Sequence, residues 1–185
     1  MDLSTDHQLM LAARDGDIEK LGILFERHHK HLYNFFLRQT LNQQISEDLV
    51  QEVFFRLLKY RHTYQGQGKF TTWLFQVARN ARIDFLKKYG RKTEPIEVVE
   101  QLANDDANPE ENVAQDSDIM LMRTALAKLS PDKREVLILS RFQNMRYREI
   151  AQILGCRVGT IKARVFRALK DLTKIYNDLA GERQL

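Results

Sequence analysis

An all-α fold of two small helical domains joined by an acidic linker is what this sequence predicts, and three observations carry it. The 185 residues include only three Pro and eight Gly, and the apolar residues recur at three- and four-residue steps rather than alternating. Charge is segregated along the chain. Residues 1–92 hold 15 Lys and Arg against 10 Asp and Glu, residues 93–117 hold eight acids and no base, and residues 118–185 hold 14 bases against seven acids. Finally, Tyr147 to Leu169, YREIAQILGCRVGTIKARVFRAL, reads as a helix, a tight turn and a second, basic helix.

Four helices are predicted before the linker. Asp6 to Arg14 is short. Asp17 to Arg38 is long, with Leu21, Leu24, Phe25, His28, Leu32, Phe35 and Phe36 as its apolar face. Ser46 is a suitable N-cap for a third helix running to about Arg61, in which Leu49, Val53, Leu57 and Tyr60 form the buried stripe. A Gly-containing loop, TYQGQGK, leads into a fourth helix from about Phe70 to Lys88.

Two features of this block exceed what a core requires. Asp48, Gln51, Glu52, Phe55 and Lys59 share the face of the third helix opposite its stripe, with Leu58 beside Phe55. Apolar surface among polar groups suits a protein partner, although packing by a neighbouring helix fits the pattern equally well. In the loop and fourth helix, Tyr64, Phe70, Trp73 and Phe75 alternate with Lys69, Arg79, Arg82, Lys87 and Lys88. Aromatic faces flanked by cations are what the capture of unpaired bases uses. Any one of these aromatics, Trp73 above all, serves a core just as well. His28 and His31 lie three apart on one helix face, but no carboxylate or cysteine pattern completes a metal site around them.

The acidic strip, residues 93–117, carries Pro95 and Pro109 and little apolar periodicity, and reads as a mostly extended or loosely ordered linker. Extended, 25 residues reach about 80 Å at roughly 3.3 Å each. That is enough for the flanking domains to hold sites about two helical turns apart on one DNA duplex.

In the C-terminal block, Ile150, Ala151, Ile153 and Leu154 give the first helix its apolar face, and Gly155 supplies the freedom a sharp turn needs. Val158, Ile161, Val165, Leu169 and Leu172 form one buried stripe of the second helix. Its other faces carry Arg157, Lys162, Arg164, Arg167, Lys170 and Lys174 against a single acid, Asp171. A solvated helix normally mixes signs there. Phe166 lies about a quarter turn off the stripe, beside Gly159, Lys162 and Ala163, where a thymine methyl or sugar is a better partner than a core. A short helix bracing a basic one sets a recognition helix into the major groove, so DNA binding is expected.

Other classes find little footing. The single Cys156 excludes a disulfide framework and a cysteine-rich zinc site, and reads as a small packing residue in the turn. There is no apolar run of about 18 residues, so no membrane insertion is expected. The opening MDLSTDHQ lacks the basic-then-apolar pattern of a secretory signal, and a cytoplasmic location is expected. No phosphate-binding Gly loop, nucleophile elbow or metalloprotease motif occurs. No enzymatic activity, metal or cofactor is expected.

Taken in order, these segments resemble the bacterial sigma-70 family in its small, two-domain extracytoplasmic-function (ECF) branch, over nearly the whole chain. DLVQEVFFRLLKYR, from Asp48, is similar to the family's core-polymerase-binding helix. GQGKFTTWLFQVARNARIDFLKK resembles the part that reads and melts the −10 promoter element. LAKLSPDKREVLILSRFQNMRYREIAQILGCRVGTIKARVFRALKDL resembles the −35-reading domain. The extra N-terminal and central regions of housekeeping sigma factors, and a C-terminal extension, are not expected.

The resemblance implies a four-helix, region 2-like domain over 1–92, a linker over 93–117 and a region 4-like helix-turn-helix domain over 118–185. It implies core RNA polymerase and promoter DNA as partners, the −35 element as duplex and the −10 element as single strand. An anti-sigma factor and a monomeric free state are further implications. Asp48, Gln51, Glu52 and Phe55, with Leu58 and Lys59, would face the polymerase clamp helices. Gln65, Gly66 and Lys69 of the loop would help hold a flipped −10 base, Phe70 and Trp73 would belong to the same −10 DNA-binding surface, and Arg79, Asn80 and Asp84 would contact or position that DNA. Arg157, Gly159, Lys162, Ala163, Phe166 and Arg167 would approach the −35 element, with Thr160 and Arg164 nearer its phosphates. One departure is Arg157, where relatives often have Pro or Ser. A cation at the start of the recognition helix adds a phosphate or guanine contact. A conventional helix-turn-helix repressor or activator, dimeric on palindromic DNA, is the alternative reading.

Overall fold

The computed structural model describes residues 5–89 and 113–182. Among these every regular element is helical, and two compact units form, one around the first four helices and one around the last four.

In the first unit, α1 (Asp6–Arg14) opens on a capping box. The Thr5 hydroxyl accepts from the Gln8 amide, and the Gln8 side chain accepts from the Thr5 amide. α2 (Lys20–Thr40) starts three residues later than its pattern predicts. It buries Leu21, Leu24, Leu32, Phe35 and Phe36. Phe25, assigned to the same apolar face, is instead exposed, stacked on His29 and edge-on to Phe54.

The third helix also departs from its prediction. The chain reverses at Leu41, whose φ is +57°, while the Thr40 hydroxyl accepts from the Asn42 amide. α3 (Gln43–Lys59) therefore begins before Ser46. Ser46 is not the N-cap; it lies on the buried face with Leu49, Val53 and Leu57. Tyr60, placed in that stripe, falls beyond the helix end and is exposed. A single turn of 3₁₀-helix (Arg61–Thr63) and the loop to Lys69 lead into α4 (Phe70–Tyr89), which packs on α3. Phe35 sits edge-on to both Phe36 and Phe75 at the centre of this unit.

The acidic linker expected over 93–117 lies outside the described residues as far as 112. From Val113 the chain is helical, so its last five positions belong to α5 (Val113–Lys128) and are not extended. α6 (Pro131–Leu137) starts on a proline, whose missing N–H costs nothing at a helix N-terminus. It continues into a wider π-helical turn, Ile138–Phe142. α7 (Tyr147–Leu154) and α8 (Val158–Glu182) complete the unit, with α5 and α6 both packed on α8.

The buried Arg134 of α6 ties the end of α5 in place. Its guanidinium donates to the carbonyls of Leu126 (3.1 Å), Ala127 and Leu129 (3.1 Å). The last carbonyls of a helix lack partners within it, and a cation there also opposes the helix dipole.

Candidate functional site

Three surfaces carry the candidate residues. The first is the outer face of α3. Asp48, Gln51, Phe55, Leu58 and Lys59 are exposed, and Glu52 is half-buried. Phe55 is 58% exposed, so no neighbouring helix packs it. The two acids are held in place rather than loose. Asp48 accepts from the Gln44 amide group at 3.1 Å, and Glu52 accepts from Arg56 Nε at 2.6 Å. Arg56 also donates through Nη1 to Asp84 on α4, at 2.8 Å. Burial disfavours the Arg56 charge, but its hydrogen bonds to Glu52 and Asp84 outweigh that and raise its pKa. Beside this bridge, Ile45, Leu49, Ala81 and Phe85 floor a cleft of about 610 Å³ between α3 and α4.

The second surface is the loop 64–69 and the start of α4. Gln65 and Lys69 are exposed, and Gly66 and Gly68 have φ of +71° and +81°. These left-handed positions favour glycine and give the loop its shape. Of the interleaved aromatics, only Trp73 stays partly open. Tyr64, Phe70 and Phe75 are core residues; Phe70 is 3% exposed, packed against His28, Tyr64 and Trp73. Phe70 thus has no free face for a base, and it supports Trp73 from beneath. The alternation misleads because α4 turns one side into the core at every third or fourth residue, whatever the cations between do. Arg79 is half-buried and Asn80 is exposed. Asp84, expected on the DNA side, is exposed but engaged by Arg56.

The third surface is the outer side of α8. Ile150, Ala151 and Ile153 of α7, and Ile161, Val165 and Ala168 of α8, are buried. Gly155 takes φ +62° in the turn, and the Cys156 amide closes it onto the Ala151 carbonyl at 3.0 Å. Cys156 is half-buried, as a packing residue in a turn would be. Arg157, Gly159, Lys162, Ala163, Phe166 and Arg167 are all exposed, with Thr160 and Arg164 half-buried at the margins. Phe166 stands 71% exposed among these cations. Asp171, the one acid in that stretch, forms a salt bridge with Lys133 of α6, and this hydrogen bond holds its carboxyl below the usual range. Its negative charge is thereby matched by a lysine of α6.

Comparison with known proteins follows the same division. Residues 24–92 match the family description "Sigma-70 region 2" and residues 119–172 match "Sigma-70, region 4". The RNA polymerase sigma factor CarQ of Myxococcus xanthus is 31% identical over 172 residues, covering 91% of this chain and 96% of that protein. The ECF RNA polymerase sigma factor SigM of Bacillus subtilis is 31% identical over 156 residues, covering 83% and 93%. This chain belongs to the ECF branch of the sigma-70 family. Among solved structures, the sigma factor RpoE in complex with the anti-sigma factor NepR from Bartonella quintana superposes with a TM-score of 0.68 at 26% identity. That match covers 84% of this chain and 96% of the other.

As an ECF sigma factor, the protein serves transcription initiation, in partnership with core RNA polymerase and promoter DNA. The repressor or activator alternative finds no support among these relatives. Among the described residues no helix is long and apolar enough to cross a membrane.

Several residues that shape these surfaces were not singled out from sequence. Arg56 and Lys133 each anchor an acid on another helix. On α1, Asp6 accepts from Arg27 Nη1 (2.8 Å) and His28 Nε2 (2.7 Å) of α2. Burial opposes the Asp6 charge, but those two hydrogen bonds outweigh it and hold its carboxyl below the usual range. His28 is therefore taken up by Asp6, and His29 bonds the Phe25 carbonyl. These partners lie on other helices or in other turns, so helical periodicity carries no signal for them.

Proposed function

We propose that this sigma factor docks core RNA polymerase on the outer face of α3 and reads a duplex −35 element with α8. It captures unpaired −10 bases with the loop 65–69 and the open side of α4. Asp48, Gln51, Glu52, Phe55, Leu58 and Lys59 form the polymerase face. Gln65, Gly66, Lys69, Trp73, Arg79 and Asn80 form the −10 face, with Phe70 and Asp84 as its supports. Arg157 in the turn before α8, and Lys162, Phe166 and Arg167 on α8, approach base edges, and Thr160 and Arg164 the phosphates.

The observation that carries this reading is Phe166, a large aromatic left open to solvent between exposed cations while the neighbouring acid is paired with Lys133. Surface of that kind fits the thymine methyl and phosphates of a duplex groove. Duplex reading positions the complex, and unpairing of the −10 bases is offset by stacking worth about 1–3 kcal/mol per base. Polymerase supplies the nucleotidyl-transfer chemistry, and this chain supplies no catalytic group. Its place is then the cytoplasm, and it is monomeric when free. The RpoE relative is held by an anti-sigma factor, and an inhibitor of that class is proposed here too.

Run-off transcription with purified core polymerase, with and without this protein, on a fragmented genomic library of its source tests the reading. Specific, protein-dependent start sites with both promoter elements upstream are expected. DNA binding without polymerase-dependent initiation would overturn it.

A further inference from the structure

We infer that His7 of α1 is a positioning residue for promoter opening, acting through the loop 65–69. The inference rests on the reading of that loop as the element that captures a −10 base.

Three contacts join α1 to the loop. His7 Nδ1 and the Tyr64 hydroxyl share a hydrogen bond of 3.0 Å, and the two rings meet edge-on with centroids 5.9 Å apart. The His7 ring also lies directly over Gly66. A Cβ built at Gly66 would fall 2.9 Å from His7 Cε1, closer than any real contact. Lastly, Arg14 at the other end of α1 donates to the Tyr64 carbonyl at 3.4 Å. His7 itself has a firm mount, because its neighbour Asp6 is bonded to Arg27 and His28 of α2.

The consequence is mechanical. Gly66 sits at φ +71°, where glycine is free to leave for other conformations unless something holds it. Beyond it, a Cβ at the second left-handed glycine, Gly68, would meet nothing within 4 Å. The His7 ring on one side and the buried Tyr64 on the other fix where the loop leaves the core. Gln65 and Lys69 are thereby presented to solvent in one arrangement before DNA arrives, which spares ordering at the moment of capture.

The test measures open-complex formation by the holoenzyme on a promoter recovered by run-off transcription, with 2-aminopurine in the −10 element as the probe. His7→Ala should slow opening by up to about tenfold, the upper worth of one hydrogen bond, with core-polymerase affinity within about twofold of wild type. Tyr64→Phe should behave alike, and the double variant should be no slower than the slower single one, as residues acting as one unit require. His7→Asn keeps a polar atom near the Nδ1 position and should restore opening, whereas His7→Phe keeps only the ring bulk and should not. This last pair decides the matter if His7→Ala loosens the fold. Equal opening rates for His7→Asn and His7→Phe, or additive effects of His7→Ala and Tyr64→Phe, would overturn the inference. The double loop variant Gln65→Ala with Lys69→Ala separates the two readings. If it opens promoters at the wild-type rate, the loop assignment itself fails; if it is slow while His7→Ala is normal, only the role of His7 fails.

Discussion

Arg56 of α3 donates to Asp84 of α4 across 2.8 Å while its Nε holds Glu52 at 2.6 Å. One guanidinium therefore joins a residue of the face proposed for polymerase to a residue of the helix proposed for −10 DNA. The Arg56 side chain is mostly buried and both carboxylates are partly open, so each pair is weaker than a desolvated one. Arg56→Ala is expected to lower unfolding free energy by about 1–2 kcal/mol, read by urea denaturation. An unchanged midpoint would show the bridge to be ornamental to stability.

Phe166 gives the converse case. With its side chain in solvent, removal takes nothing from the core, and Phe166→Ala should alter stability by less than about 0.5 kcal/mol. Binding to a duplex −35 fragment by holoenzyme should nonetheless weaken. A variant with normal promoter affinity would remove Phe166 from the recognition surface.

Arg164 and Arg167 should separate phosphate from base contacts. Arg167 is exposed and rests its Nε on the Ala163 carbonyl at 3.3 Å, ready to be drawn to a base edge. Arg167→Ala should cost about 1–3 kcal/mol at the cognate promoter and little elsewhere. Arg164→Ala should weaken all sequences alike and reduce the salt dependence of binding by about one unit of slope. Titrations at several salt concentrations distinguish the two patterns, and identical patterns would refute the division.

The balance of what was legible in the sequence follows from what periodicity encodes. The stripes Leu49, Val53, Leu57 and Ile161, Val165 could be placed because burial repeats with the helix period. The exposure of Phe166 was legible for the same reason, as an apolar residue off the stripe; Phe55 was equally off its stripe, but periodicity alone left open whether a neighbouring helix covers it. Phe70 was not, because a core aromatic and a stacking platform share one residue type and differ only in what packs over them. The tie between Asp84 and Arg56 was not legible either, because the two lie 28 residues apart on different helices. The start of α3 was hidden by Leu41, a branched residue at φ +57°, where a turn is ordinarily marked by Gly or Asn.

Phe55 leads to a prediction on assembly. Phe55→Asp adds charge to a position already in water, so far-ultraviolet circular dichroism should remain that of the helical wild type. Core polymerase should no longer co-elute with it, since burying an unpaired carboxylate in an interface is costly. Wild-type co-elution would show that polymerase docks elsewhere.

Acidification should loosen α1 through His28. Burial is the leading influence on this imidazole and lowers its pKa from 6.5; the Asp6 carboxylate across from it acts in the opposite sense without prevailing, and His31 and Arg27 add to the lowering. Near pH 7 the ring is thus neutral, its Nε2–H donating to ionised Asp6. The folded chain binds fewer protons here than the unfolded chain does, so the stability His28 contributes is present above about pH 6.5 and is lost as pH falls through the folded value. Asp6, whose pKa is also lowered, is lost the same way but only in a separate window beginning below its ordinary 3.8. Denaturation midpoints measured from about pH 7.5 to pH 5 should therefore fall with acid in the wild type and fall less in His28→Gln, which cannot gain the proton. Parallel curves for the two proteins would place the acid sensitivity on another group.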